Sequence, residues 1–285
     1  MKTPVLLTIL ALLTLLLYPF YVVYRQLQGE HGAPEKTPAV WGASYENVTH
    51  LTDDGLTLRG WWVPNRGEKA VLLMHGFGGN RNGIYTGIFE LGAWYWKRGY
   101  NVLLPDLRAH GESDGRFVHF GVKERDDMLG WIEKIDPEAR YRWTLHGFSM
   151  GASTALMMKE RDPKRFAYVV ADAPWIDFGK LVKQELWKRA GLPSWSFPYV
   201  RWIAETFFGQ DFREADNRKR VRRLCGAPIL YVFEADDRLV PSYQRRILMR
   251  ECPDADRVLF PDAGHVEAFK NDPEAYTRLL ESKGL

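Results

Sequence analysis

The chain has 285 residues, which is enough for one large domain or for one domain with an inserted cap. Hydrophobic residues make up 46% of the chain and charged residues 26%, so the composition excludes an intrinsically disordered protein. The formal net charge of +3 is small for this length and gives no reason to expect nucleic-acid binding.

The first predicted element is an apolar helix at the N-terminus. Residues 4–24 (PVLLTILALLTLLLYPFYVVY) carry no charge and are flanked by Lys2 and Arg25. A helix of this length spans the roughly 30 Å hydrocarbon core of a bilayer. A cleaved signal peptide begins in the same way, but this apolar run is long and no A-x-A pattern follows it. The sequence therefore predicts a single-pass membrane protein with its anchor at 1–24, inserted with the main domain outside the cytoplasm.

A polar segment follows the anchor. Residues 25–40 (RQLQGEHGAPEKTPAV) contain Pro and Gly and predict a tether, which leaves 41–285 for one domain. The domain opens with two β-like runs on either side of Asp53-Asp54-Gly55, a turn signal that predicts a hairpin.

A regular alternation of strands and helices then begins. Six short apolar runs are bounded by turn residues, at 70–74, 100–104, 142–146, 167–171, 228–233 and 257–260. Their hydrophobicity is continuous rather than alternating, which is typical of strands buried on both faces of a parallel sheet. Helical patterns lie between most of them, at 82–97, 120–135, 151–161, 241–251 and 273–283. With the hairpin, the sequence predicts an α/β fold with an eight-stranded, mostly parallel sheet and helices on both faces.

The stretch from 174 to 224 interrupts this alternation between the sixth and seventh strands. It is rich in aromatic residues mixed with Lys and Arg, namely Trp175, Trp187, Trp195, Phe197, Tyr199, Trp202, Phe207 and Phe208. It is too long for a plain connection and too apolar for disorder, so we predict a helical cap over the strand ends.

The two cysteines, Cys225 and Cys252, each precede a predicted strand. Both could lie near one end of the sheet, and a disulfide is possible outside the cytoplasm. Two buried free thiols are the favoured interpretation. The chain has no zinc-type Cys/His cluster, so the sequence predicts neither a metal ion nor an organic cofactor.

The strongest chemical motif is Gly147-Phe148-Ser149-Met150-Gly151. A predicted strand runs directly into it and a predicted helix runs directly out of it. In that setting a G-x-S-x-G sequence forms a sharp elbow that exposes the serine, whose neighbouring glycines relieve crowding. Ser149 is therefore the predicted nucleophile.

A serine hydroxyl needs a base to take its proton, and the chain has seven histidines. His265 follows the last predicted strand in a Pro-Asp-Ala-Gly-His sequence. The chain order serine, acid, histidine selects it as the base. His75 is predicted to shape a loop and His146 to lie in a strand, so neither is expected to be the base. His110 and His119 are harder to dismiss as the base.

The third member of such a triad is a carboxylate that orients the histidine. It should follow the strand at 228–233, where Glu234, Asp236 and Asp237 are available. Asp106 also ends a strand, but it precedes the serine and is interpreted as a structural loop residue.

The negatively charged oxygen of a tetrahedral intermediate needs preorganised donors. The backbone N–H of Met150, next to the nucleophile, is the first predicted donor. The second is predicted in the loop His75-Gly76-Phe77-Gly78-Gly79, where the glycines allow a close approach of the backbone. Phe77 is the predicted donor, through its main chain.

The blocks HGFGG, DLRAHGESDG, GFSMG, DRLVP and AGH resemble the α/β-hydrolase superfamily in order and spacing, from about residue 45 to the C-terminus. More narrowly, the chain resembles bacterial membrane-anchored hydrolases of the serine-aminopeptidase-like and esterase-like branch. The D-x-x-V-P turn of that family matches at Asp237, which the resemblance therefore implies as the acid, with Asp236 as its rival. That branch often has His-Gly where this chain has Phe233-Glu234.

The predicted activity is cleavage of carboxylic esters, through an acyl-enzyme on Ser149. The aromatic cap and the anchor favour a small-molecule ester or a lipid-like substrate. A peptidase, an amidase or an acyltransferase would use the same triad, although no pattern gathers the acidic cap residues that an aminopeptidase needs. Dehalogenases and epoxide hydrolases of the family are disfavoured because they have Asp at the position of Ser149. A non-catalytic adaptor is a remote alternative.

Overall fold

The computed structural model describes residues 2–83 and 85–285. The strands are β1 (Glu46–Leu51), β2 (Thr57–Val63), β3 (Lys69–Met74), β4 (Asn101–Pro105), β5 (Arg142–Phe148), β6 (Phe166–Asp172), β7 (Ile229–Glu234) and β8 (Asp256–Phe260). The helices are α1 (Lys2–Leu27), α2 (Ile88–Lys97), α3 (Val122–Ile135), α4 (Met150–Arg161), α5 (Phe178–Ala190), α6 (Phe197–Phe208), α7 (Arg218–Arg223), α8 (Tyr243–Glu251), α9 (Ala268–Asn271) and α10 (Pro273–Ser282).

The eight strands form one sheet in the order β1-β2-β4-β3-β5-β6-β7-β8. Strand β2 is antiparallel to both of its neighbours, and the pairs from β4 to β8 are parallel. The predicted hairpin and the predicted eight-stranded, mostly parallel sheet are thus confirmed. Each of the six predicted apolar runs overlaps one strand, although Tyr100 and Pro228 lie just before β4 and β7.

The central strands are apolar throughout because each face of the sheet packs against its own hydrophobic cluster. Ala70 and Leu72 of β3 belong to one cluster, whereas Val71 and Leu73 belong to the other. Since β3 and β5 to β8 are parallel, their carboxyl ends meet at one edge, where loops from different parts of the chain come together.

Helices α5, α6 and α7 occupy the segment between β6 and β7, where the sequence predicts a cap. The predicted helix at 82–97 starts later, at Ile88. The preceding turn contains Gly83 and Gly87, both with positive φ, which α-helical backbone does not adopt.

The N-terminal helix differs from the predicted anchor and tether. Among the described residues, the segment from Val5 to Leu27 is apolar enough to span a membrane, with a mean hydropathy of 2.3. Helix α1 continues to Leu27, three residues past the predicted anchor, and its last part packs on the domain. The segment predicted as a tether is also held: Gln28 pairs with Phe117 and the Lys36 N–H donates to Asn82. These contacts use the backbone, which polar composition does not reveal.

The expectation of two free thiols is wrong. Cys225 and Cys252 form a disulfide, with their Cα atoms 5.5 Å apart. Cys225 lies between α7 and β7, and Cys252 directly follows α8. Helices α7 and α8 pack side by side, and this packing brings the two cysteines together.

Candidate active site

Ser149 lies on a sharp turn between β5 and α4. Its backbone has a φ of 52° and a ψ of −108°, an unusual conformation for a residue with a side chain. Its N–H donates to the carbonyl of Asp172 at 2.8 Å, which ties the turn to the end of β6. A Cβ on Gly147 would overlap the backbone of Gly151, and one on Gly151 would overlap that of Met74. The glycines of the motif are therefore required by close packing around the turn.

The imidazole of His265 lies between Ser149 and Asp237. His265 follows β8 in the loop before α9. Its Nε2 is 2.8 Å from Ser149 Oγ, and its Nδ1 is 2.7 Å from Asp237 Oδ2. With Nδ1–H donating to the carboxylate, Nε2 is left to accept the serine hydroxyl. The three side chains selected from the sequence thus meet at the carboxyl edge of the sheet.

Asp237 is held in place by the turn that follows β7. Its Oδ1 accepts the N–H groups of Leu239 and Val240 at 2.8 and 2.7 Å, which leaves Oδ2 for His265. The side chain of Asp237 is only 2% exposed, whereas Asp236 faces solvent. Of the two adjacent aspartates, the structure brings Asp237 to the histidine.

The two backbone groups expected to stabilise an oxyanion belong to segments on either side of Ser149. Met150 is the first residue of α4. The loop that carries Phe77 passes close to the serine, since a Cβ on Gly76 would lie 3.2 Å from Ser149 Cβ. The Phe77 ring is 44% exposed and lines the pocket, stacked against Phe120.

Two buried histidines hold the Phe77 loop. His75 Nε2 accepts the N–H of Leu107 at 3.0 Å, and His110 Nε2 accepts the N–H of Gly78 at 3.1 Å. Each ring donates through Nδ1 to a backbone carbonyl. Burial lowers the pKa of His75 to about 4 and that of His110 to about 3, so both are neutral at physiological pH. They fix the shape of the loop and keep it uncharged.

Asp106, which was interpreted as a structural residue, and His119, which was harder to dismiss as the base, do not line the pocket at Ser149. The buried Asp106 carboxylate pairs with the guanidinium of Arg81 and accepts its backbone N–H. His119 lies beside Gln210 of the cap, and burial lowers its pKa to about 4. Both residues have a structural role in this arrangement.

An apolar pocket of about 610 Å³ opens at Ser149 and His265. Its apolar walls include Val22, Val23 and Leu27 of α1, Leu181, Val182 and Leu186 of α5, and Val200 and Ala204 of α6. The loop that carries Phe77 also lines it, as do the charged residues Glu30, Glu185 and Glu267. Sequence reasoning missed the contribution of α1. Residues 22–27 belong to a segment that is apolar throughout, so the sequence does not distinguish the side chains that face the domain from those that face lipid.

A second polar chain lies buried behind this site. Tyr95 Oη is 3.1 Å from His146 Nδ1, and His146 Nε2 is 3.0 Å from Tyr276 Oη. Tyr276 donates in turn to Asp172 Oδ2 at 2.7 Å. Burial lowers the pKa of His146 to about 3. Sequence reasoning missed this chain, although a charged residue at the end of a buried strand, such as Asp172, is a signal for it.

Asp172 and Glu234 end the neighbouring strands β6 and β7, and their carboxyl groups are hydrogen-bonding neighbours. Two ionised carboxylates cannot donate to each other, and their facing oxygens have no donor among the described residues. Burial and the adjacent Asp172 carboxyl raise the pKa of Glu234 well above its usual range. Glu234 therefore keeps a proton, which satisfies the pair.

Comparison with known proteins gives a family match. A model of the alpha/beta hydrolase family matches residues 70–279. The esterase Pf2001 of Pyrococcus furiosus superposes with a TM-score of 0.73 and 26% identity, over 90% of this chain and 98% of that one.

Two relatives of known sequence add to this match. The chain is 35% identical over 143 residues to the polyketide transferase ATR5 of Stachybotrys chlorohalonatus, which covers 47% of this chain and 46% of that protein. It is 23% identical over 272 residues to the uncharacterized membrane protein YNL320W of Saccharomyces cerevisiae, which covers 93% and 89% of the two chains.

Proposed function

Because the chain belongs to the alpha/beta hydrolase family, we propose that it is a membrane-anchored serine hydrolase that cleaves carboxylic esters. Ser149 is the nucleophile, His265 the general base and acid, and Asp237 the residue that orients the histidine. The observation that carries this proposal is the line of two hydrogen bonds from Ser149 Oγ through His265 to Asp237, of 2.8 and 2.7 Å, at the floor of an apolar pocket.

The reaction has two halves. His265 Nε2 takes the hydroxyl proton of Ser149 as Oγ attacks the ester carbonyl, and the backbone N–H groups of Met150 and Phe77 stabilise the oxyanion. The imidazolium then protonates the departing alcohol, which leaves an acyl group on Ser149. Water, deprotonated by the same nitrogen, releases the acid and restores the serine.

The pocket favours an apolar acyl group. Its walls are mostly aliphatic and aromatic, and among the described residues no group of His, Cys, Asp and Glu is arranged to hold a metal ion. Apolar walls bind by area and do not hydrogen-bond, so we expect affinity to rise with acyl length until the pocket is filled.

The proposed location is a membrane, with the catalytic domain outside the cytoplasm. The apolar span in α1 and the yeast relative described as a membrane protein support the anchor. The disulfide between Cys225 and Cys252 supports an oxidising compartment for the domain.

The test uses the full chain in detergent with p-nitrophenyl esters of increasing acyl length. We expect an optimum in chain length, and a loss of turnover on the order of 10⁶-fold in the Ser149→Ala variant. A fluorophosphonate should label the wild type and not the variant. Undiminished turnover in Ser149→Ala would disprove the assignment.

Acyl transfer is the second candidate, because the relative ATR5 is named a polyketide transferase. The acyl-enzyme would be the same, and an alcohol would replace water as the acceptor. Adding an alcohol to the ester assay distinguishes the two: a transferase forms the new ester in preference to the acid, whereas a hydrolase releases mostly acid.

A further inference from the structure

Building on the function proposed above, we propose that the cap of this chain lies in the interface of the lipid bilayer. The ester substrate is then a bilayer lipid, which reaches Ser149 between α1 and the cap. The proposal starts from a mismatch between the length of the anchor that stands free and the thickness of a membrane.

Helix α1 divides into a free part and a docked part. From Val5 to Tyr18 the side chains that the structure describes are exposed, whereas Pro19, Val22, Val23 and Leu27 are buried against the domain. Helix α1 begins at Lys2, and the 16 residues from Thr3, after that charge, to Tyr18 rise about 24 Å, whereas a hydrocarbon core is about 30 Å thick. The free part alone is too short to span it. The deficit disappears if the domain surface around Tyr18 lies within the outer part of the bilayer.

That surface is aromatic. We call Trp187, Trp195, Trp202 and Phe207 the cap rim; they are 67%, 78%, 51% and 55% exposed. Among the described residues, the tryptophans exposed to this degree all lie in the rim. Soluble proteins rarely expose such a group, whereas tryptophan is enriched where proteins cross the lipid–water interface.

The rim lies at the level where the free part of α1 ends and the docked part begins. Tyr18 Oη donates to the carbonyl of Ala190 at 2.7 Å, and Tyr199 Oη donates to the carbonyl of Leu16 at 3.1 Å. The rings of Phe20 and Phe207 are 5.3 Å apart. These contacts fix the cap to the anchor, so the bilayer that holds α1 also meets the rim.

Basic side chains accompany the rim. Lys180, Lys183 and Trp187 follow each other on α5 at helical spacing and line one shallow depression with Pro193 and Phe197. A basic face beside an apolar one is the pattern of helices that lie in the plane of the membrane. The ammonium group of Lys183 would meet a lipid phosphate while Trp187 enters the headgroup region, whereas that of Lys180 lies over the Tyr243 ring.

The pocket lies directly behind this surface. Val22 and Val23 of α1 form part of its wall, about one helical turn, or ~6 Å, from Tyr18. The opposite wall comes from Leu186 and Val200 of the cap. An acyl chain that leaves the bilayer along α1 therefore passes from lipid into an apolar pocket without crossing water, which favours a lipid ester over a water-soluble one.

The position of the rim is tested with fluorophores on the full chain in nanodiscs of phosphatidylcholine and phosphatidylglycerol. The Trp195→Cys variant is labelled with a nitrobenzoxadiazole dye, since both native cysteines are paired in the disulfide. The matched control is Leu51→Cys on β1, where the native side chain is 68% exposed. We expect lipids with a nitroxide near the headgroup to quench the dye at 195 several-fold more strongly than the dye at 51.

Equal quenching at both sites would overturn the proposal. So would a dye at 195 that is shielded from an aqueous quencher but untouched by the nitroxide lipid, because a second copy or another protein would then cover the rim. Neither readout depends on activity, so the position of the rim is judged even if the chain cleaves no ester.

The substrate class is tested by comparing a glycerolipid ester in vesicles with p-nitrophenyl butyrate in solution. The double variant Trp195→Gln/Trp202→Gln should lower the ratio of lipid-ester to soluble-ester turnover about tenfold, whereas Leu51→Gln should leave the ratio unchanged. An unchanged ratio in the double variant would overturn the proposed route. If the wild type cleaves the soluble ester and no lipid ester, the substrate class is wrong and the hydrolase assignment stands. If it cleaves neither, the proposed function itself fails.

Discussion

Two histidines lie in hydrogen-bonded chains at the same end of the sheet, and their environments are opposite. His265 is 16% exposed and lies between the Ser149 hydroxyl and the Asp237 carboxylate. His146 is fully buried between the hydroxyls of Tyr95 and Tyr276. In both chains an aspartate lies at the far end, so residue types alone do not separate them.

The difference lies in where the unprotonated ring nitrogen points. Asp237 accepts from Nδ1–H of His265, so the lone pair on Nε2 faces a hydroxyl in the pocket. In the buried chain Tyr276 donates to Asp172, so His146 donates from Nε2 and uses its lone pair on Tyr95. A histidine acts as a base when its lone pair faces a group that can react, and a nearby aspartate is insufficient on its own.

The strongest test of this comparison exchanges one carboxylate in each chain for an amide. Asp237→Asn should lower the kcat for ester hydrolysis by about 10⁴-fold, because the amide favours the wrong tautomer of His265. Asp172→Asn should keep kcat within about tenfold of wild type. Steady-state kinetics with a p-nitrophenyl ester measure both. Similar losses would mean that the two chains act as one unit.

The pH dependence of stability tests the protonated Glu234. In the native state burial and Asp172 raise its pKa well above the usual range, so unfolding releases a proton between the unfolded value of about 4.3 and the native pKa. The stabilisation from this proton is complete below the unfolded pKa and is lost at ~1.4 kcal/mol per pH unit as the pH rises toward the native pKa. Glu234→Gln removes the slope, so its free energy of unfolding relative to wild type should increase by about 3 kcal/mol from pH 6 to pH 8.

Urea unfolding of the full chain in detergent at several pH values measures that slope. Glu274→Gln, at an exposed position on α10, is the matched control and should run parallel to wild type. A difference between wild type and Glu234→Gln that is constant with pH would mean that Glu234 is ionised in the folded protein.

Replacement of the buried histidine should affect stability and not catalysis. His146→Phe keeps the ring stacked on Phe148 and Tyr276 but leaves the Tyr95 hydroxyl without an acceptor. We expect a loss of about 2 kcal/mol in the free energy of unfolding. The pH profile of kcat/KM should remain that of wild type. A shifted profile would give His146 a part in proton transfer.

The smallest effect is expected at the far end of the buried chain. Tyr95→Phe removes one hydroxyl and one hydrogen bond, at a cost of about 1 kcal/mol in the free energy of unfolding. Thermal unfolding of the full chain measures it. An unchanged stability would show that the bond between Tyr95 and His146 contributes nothing net.

Much of the fold could be predicted from the sequence because the central strands are buried on both faces and therefore appear as unbroken apolar runs. The Ser149 elbow could be predicted because its G-x-S-x-G pattern is five residues long, even though Gly151 is required by a close approach to the distant Met74. His265 and Asp237 followed from chain order and from the resemblance around the D-x-x-V-P turn. These signals are short in sequence, which is why they are visible without a structure.

The rest depends on contacts between distant parts of the chain. The hydrogen bond from Tyr18 to Ala190 joins residues 172 positions apart, and it places α1 in the wall of the pocket. The pairing of Cys225 with Cys252 depends on how α7 packs on α8. The contact between the carboxyl groups of Asp172 and Glu234, which keeps Glu234 protonated, depends on the register of β6 with β7. Amino-acid composition does not predict such long-range contacts.

The disulfide encloses one of the three residues at Ser149 and leaves the other two outside. The covalent loop from Cys225 to Cys252 contains β7, the turn with Asp237 and α8, whereas Ser149 and His265 lie outside it. Oxidation therefore secures the segment that bears the acid and leaves the nucleophile untouched. Reduction of this one bond would therefore loosen the segment that carries Asp237, while the serine elbow, which is held by packing alone, would keep its shape.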